Sequence, residues 1–149
     1  MMPVKFAMRH APVNILIAHP QEDVMLRLQL ALRAIQTPVA LYHVRDTASL
    51  FSFLRKAEPY ETALRPDMIM LGDGLVQALD RLKSDNPYAA IPVIVIGENP
   101  SRELARECHA RHANACVRIP ADTAGMRVFA GALDAFWFRT AKLAPNPDT

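Results

Sequence analysis

Three places in this chain carry residues whose type and spacing could do chemistry. The first is Gly72-Asp73-Gly74, a carboxylate between two glycines where the apolar run Met68-Ile69-Met70-Leu71 gives out. A parallel α/β sheet binds its ligands at the carboxyl ends of its strands, so this is where a functional crevice is expected. The second is His19-Pro20, at the end of the apolar run 13–18, with Glu22 and Asp23 just beyond. An imidazole there titrates near neutral pH and suits a sensor, and the two carboxylates are possible metal ligands. The third is Cys108, His112 and Cys116, soft ligands of which the first two lie four residues apart on one helix face.

Each has a plainer reading. Gly72-Asp73-Gly74 is too short to be a dinucleotide fingerprint and is expected to make the tight turn into the next helix. Glu22 and Asp23 fall in the first turn of a helix, where carboxylates favour the dipole. His19 fills space at a strand end. Cys108 falls on an inner helix face and Cys116 on a strand, where free cysteines act as small hydrophobes. The paired spacing of a zinc site is absent. No nucleophile–base pair is evident, so neither an enzyme, a metal centre nor a bound cofactor is expected.

The elements that must position these residues alternate. Apolar runs at 13–18, 39–44, 68–71, 92–96 and 115–118 read as strands, near-continuous in Val, Ile, Leu and Met as in strands covered on both faces. Segments of helical periodicity lie between them at 22–34, 49–56, 75–83 and 101–111, with a last helix from a cap at Asp122 to about Leu143. Ser84-Asp85-Asn86-Pro87 is a turn signal. Repeated βα units predict a doubly wound, five-stranded parallel sheet of flavodoxin-like order in a three-layer α/β/α sandwich.

Composition limits the function classes. The 149 residues are 51% hydrophobic and 21% charged with a net charge of only +2, which suits one globular domain and gives no case for nucleic acid or a membrane surface. The apolar runs are too short to span a bilayer, and 1–13 has no apolar core of a signal peptide, so a cytoplasmic location is expected.

The order of these elements, with Ile15-Leu16-Ile17, Val44-Arg45-Asp46, Phe53-Leu54-Arg55, Pro59-Tyr60, Arg65-Pro66-Asp67, Ile91-Pro92-Val93-Ile94-Val95, Ala113-Asn114-Ala115 and Phe136-Trp137, resembles the CheY-like receiver domain of two-component response regulators. Within that family it looks like the members that work with phytochrome-type histidine kinases. The resemblance covers 14–143, with an N-terminal extension at 1–13 and a tail at 144–149. It implies a phosphorylation pocket whose parts are all changed here. The acidic Mg²⁺ ligands correspond to His19 and Pro20, the phosphoacceptor aspartate to Gly72, the hydroxyl residue to Gly97, and the lysine before a proline to Ile119, followed by Pro120. In a continuing strand Asp73 faces away from residue 72, and it reaches the pocket only through a bulge.

The last helix carries two apolar stripes. Met126, Phe129, Ala130, Leu133, Phe136 and Trp137 are expected to pack on the sheet, leaving Val128, Ala132, Ala135 and Phe138, with Leu143 beyond, as a dimer or partner surface. The expected function is a receiver-like module that accepts no phosphate and acts through protein contact: a homodimer that binds a histidine kinase or phosphotransfer protein, with a phytochrome-type kinase as one candidate. The alternatives are a phosphorylation-dependent regulator using Asp73, and a small-molecule or metal sensor using the vacated crevice.

Overall fold

Alternation of side chains along a strand determines the architecture. In the computed structural model, which describes residues 12–84 and 87–149, the strands are β1 (Val13–Ala18), β2 (Val39–Val44), β3 (Met68–Gly72), β4 (Val93–Gly97) and β5 (Ala115–Arg118). All pair in parallel, in the order β2-β1-β3-β4-β5. The expected doubly wound sheet is therefore the one formed. Residues 1–11 of the N-terminal extension and the centre of the turn at 85–86 lie outside the described residues, while Val13, expected in that extension, begins β1.

Along β1, β3 and β4 successive side chains point to opposite faces, and both faces are buried. Leu16, Ala18, Ile69, Leu71, Val93 and Val95 pack on one side with α2 (Thr47–Leu54), α3 (Ala78–Ser84) and α4 (Arg102–Ala110). Ile15, Ile17, Met68, Met70, Ile94 and Ile96 pack on the other side with α1 (Glu22–Leu32) and α5 (Thr123–Leu133). Helix starts follow local chemistry. Asp46, Ser101 and Asp122 each accept a backbone N–H three residues on, stabilising α2, α4 and α5.

The C-terminal helix departs from expectation. Its α-helical part stops at Leu133, and Asp134–Phe138 forms a π-helical turn closed by Arg139 N–H donating to the Asp134 carbonyl. The wider turn brings Arg139 back over the buried Asp134, its Nε 3.3 Å from Asp134 Oδ2, while Thr37 Oγ1 donates to Oδ1. It also shifts the stripes, because a π-turn takes up about one more residue than an α-turn. Phe136, expected on the sheet, is 55% exposed. Phe138, expected on the outer surface, packs against the α1–α5 core, as does Trp137. The exposed stripe is Val128, Ala132, Ala135 and Phe136; Leu143, half-buried, lies beyond the helix.

The residues expected to be a tail are tied down. Asn146 Nδ2 donates to the Arg65 carbonyl at 2.7 Å and to Asp67 Oδ1 at 2.9 Å. Asp148 Oδ2 accepts from Lys56 Nζ and from the Arg65 N–H. Asp67 Oδ2 in turn accepts the Asn14 N–H, so Arg65-Pro66-Asp67 joins the starts of β1 and β3 to the C-terminus. Lys56 holds the Asp148 carboxyl below its usual range, with the Arg65 N–H adding to the effect. Asn146→Ala removes a half-buried donor serving two acceptors and should cost about 1–2 kcal/mol, read as a lower urea midpoint at unchanged slope.

Candidate functional site

Past Asn14 the side chains of β1, β3 and β4 are apolar until the strands end, and the carboxyl ends of these strands open on one crevice. It has a volume of about 320 Å³ and is lined by His19, Pro20, Asp73, Gly97, Glu98 and Ile119 among others. Residues far apart in sequence thus meet here, including most of those matched to the family's phosphorylation pocket. Gly72 and Pro120 do not line it: Gly72 lies beside His19, and the Pro120 carbonyl accepts from Arg27.

Asp73 reaches the crevice without a bulge. β3 ends at Gly72, and Asp73–Leu75 is a turn of 3₁₀ helix, so the strand alternation that would turn Asp73 away no longer applies. A Cβ placed on Gly97 would lie 2.6 Å from Asp73 Oδ2 and 3.1 Å from its Cγ. The carboxylate therefore occupies the room that a side chain at position 97 would need. Gly72 has the same relation to His19, whose Cδ2 would be 2.8 Å from a Cβ at 72. Gly72 has φ −59° and ψ 144°, a conformation open to any L-residue, so the turn does not require glycine here. What a Cβ here would meet is the imidazole. Two side chains, His19 and Asp73, fill the space beside two glycines, Gly72 and Gly97.

His19 is held from both ends. Its backbone N–H donates to the Val44 carbonyl, and its carbonyl accepts from His43 Nε2 at 2.8 Å. The ring Nδ1 accepts the Gln21 N–H at 3.0 Å, which places the proton of the neutral ring on Nε2. Burial pushes its pKa below the ordinary histidine value; Asp73 pulls the other way, His43 adds to the lowering, and Glu98 and Arg27 nearly oppose each other with smaller effects.

Arg27 is a residue that the sequence pattern did not single out. Its guanidinium donates to the Pro120 carbonyl at 3.0 Å and to Glu98 Oε2 at 2.6 Å, and its Nε lies 3.2 Å from Asp23 Oδ2. One cation thereby ties α1 to the loops that follow β4 and β5. The only sequence signal for it is the Asp23–Arg27 spacing of four. Glu22 lies 3.8 Å from Arg45. These pairings bear on the Mg²⁺ that the receiver resemblance implies. A hard cation needs several free oxygens, and here Asp23 and Glu98 are engaged by Arg27 while His19 Nδ1 is engaged by an N–H. The donors present do not fit the ion.

The cysteine cluster is not assembled as a ligand set. Cys108 is buried in α4, and burial with the adjacent Cys116 pushes its thiol up to about 12, so it is protonated at neutral pH. His112 is exposed at the end of α4, with φ 71°, where the Ala113 N–H closes on the Cys108 carbonyl. Among the described residues no three His, Cys, Asp or Glu side chains are placed to hold a metal ion, and no helix is long and apolar enough to cross a membrane.

A parallel five-stranded sheet in this order, with its crevice at the carboxyl strand ends, defines the flavodoxin-like class to which receiver domains belong. The solved structures it resembles are response regulators. The phosphorylated cyanobacterial phytochrome response regulator RcpA is 25% identical with a TM-score of 0.82, covering 91% of this chain and 100% of that one. The Mn²⁺-bound form of response regulator Rcp1 is 21% identical, with a TM-score of 0.81 over 90% and 100% of the two chains. RPA3017, a response regulator in red light signalling of R. palustris, is 19% identical, with a TM-score of 0.83 over 91% and 100%. No protein-family model and no curated protein matches the sequence. The likeness gives the receiver fold and supports two-component signalling as the setting; receivers are signalling modules.

The His19 shift has a definite sign. The unfolded chain binds a proton at His19 near pH 6.5, before the folded protein does. The stability that neutral His19 contributes is full above that pH and is lost as pH falls through and below it. His19→Asn keeps an acceptor for Gln21 but does not titrate. The difference in urea midpoint between wild type and variant should therefore shift against the wild type between pH 7.5 and pH 5.5.

Proposed function

We propose that this chain is a receiver-like signalling module that works through protein contact and does not carry a phosphoryl group. The observation that carries the reading is the filling of the space beside Gly72 and Gly97. His19 stands over Gly72 and the Asp73 carboxylate stands against Gly97, so the room for an acceptor side chain and a hydroxyl is taken. Ile119 lies where the family's lysine would neutralise a phosphate, and Arg27 is committed to Glu98, Asp23 and the Pro120 carbonyl. Phosphoryl transfer relies almost wholly on such positioned charges. A histidine kinase or phosphotransfer protein is the natural partner, and the named relatives favour a phytochrome-type one.

The second reading, phosphorylation at Asp73, is favoured by one observation: its carboxylate does reach the crevice. Beryllofluoride with Mg²⁺ decides between them. Amide shifts at Gly74, Gly97 and Glu98 are expected to stay unchanged; a saturable response that disappears in Asp73→Asn would establish the second reading.

The exposed stripe Val128, Ala132, Ala135 and Phe136 is the surface we assign to self-association, since a helix apolar on two sides buries the second against a partner. Val128 is 74% exposed, so Val128→Asp leaves the core intact. Wild type should sediment as a dimer at tens of micromolar and Val128→Asp as a monomer; a wild-type monomer would remove this surface from the proposal.

A further inference from the structure

Between α1 and α5, on the side of the sheet away from α2–α4, runs a groove of about 450 Å³. Leu30, Ala34 and Met126 give it an apolar lining, and Leu30 remains 66% exposed. Arg27, Arg33 and Arg127 stand around it. Arg27 is engaged by the loops after β4 and β5, but Arg33 and Arg127 are exposed and form no ion pair or side-chain hydrogen bond among the described residues. The acid that lines the groove, Asp122, turns its Oδ1 to the Gly125 N–H as the cap of α5. Arg33 and Arg127 thus line an apolar trough with no anion among the described residues paired to them, beside the capping carboxylate of Asp122. Ligand sites of this size combine an apolar lining with a few convergent polar groups, and converging arginines bind carboxylate or phosphate by paired N–H donors.

We propose that this groove binds a free single-chain amphiphilic anion, a carboxylate or phosphate monoester, with its apolar chain on Leu30, Ala34 and Met126 and its head group between Arg33 and Arg127. The site is separate from the crevice and does not depend on whether Asp73 is phosphorylated.

The test is titration of the full ¹⁵N-labelled chain with decanoate below its micelle concentration. Saturable amide shifts are expected at Ala31, Ala34, Thr123 and Met126. Affinity should fall at least tenfold in the Arg33→Glu/Arg127→Glu double variant, and also in Ala34→Phe, which fills the trough and keeps the charges. All three positions are exposed, and circular dichroism confirms the fold of each variant. The absence of saturable shifts would overturn the proposal. So would equal binding of decyltrimethylammonium, unchanged affinity in the variants, or a response to phosphatidylglycerol vesicles alone.

Discussion

A strand covered on both faces has no side on which to carry a polar group, and that constraint governs the whole molecule. β1, β3 and β4 are apolar at almost every position because each residue, odd or even, meets a helix layer. Asn14 is the exception within them; its backbone N–H is answered by Asp67, at the edge where β3 begins. Polar chemistry is left to the strand ends. The carboxyl ends carry His19, Asp73 and Glu98, and the amino ends carry the Asp67, Asn146 and Asp148 ties that hold the C-terminus.

At the carboxyl ends the governing quantity is space rather than charge. Gly72 and Gly97 are each matched by a neighbouring side chain that occupies what they leave open, His19 in one case and Asp73 in the other. A side chain restored at 72 or 97 meets an imidazole or a carboxylate at less than van der Waals distance. The space beside the two glycines is thus filled by their neighbours, and Arg27 braces the loops around the crevice.

The surface is where the fold departs most from a plain doubly wound sandwich. The π-turn after Leu133 seats Asp134 inside, returns Arg139 over it, and exchanges Phe136 for Phe138 on the core. That exchange moves the apolar patch rather than removing it. The same helix contributes one wall of the arginine-lined groove with α1, so α5 offers different chemistry on its two exposed flanks.

By itself the sequence determined the five-stranded parallel sheet, because runs of Val, Ile, Leu and Met between helical segments leave few other ways to bury both strand faces. It also determined where a site must lie, since strand ends can be read from where the apolar runs stop. What only the tertiary structure decided was the content of that site. Asp73 reaches the crevice because β3 stops at Gly72 and Asp73 opens a 3₁₀ turn, so strand alternation does not carry through to it, and an element boundary is set by packing as much as by local preference. Arg27 ties α1 to the crevice loops only because Glu98 and Pro120, 71 and 93 residues away, fold against it. The shift from Phe138 to Phe136 needs a π-turn that α-helical periodicity does not contain. Local pattern fixes which faces are apolar; the distances between remote side chains, and so the chemistry, exist only once the chain has closed on itself.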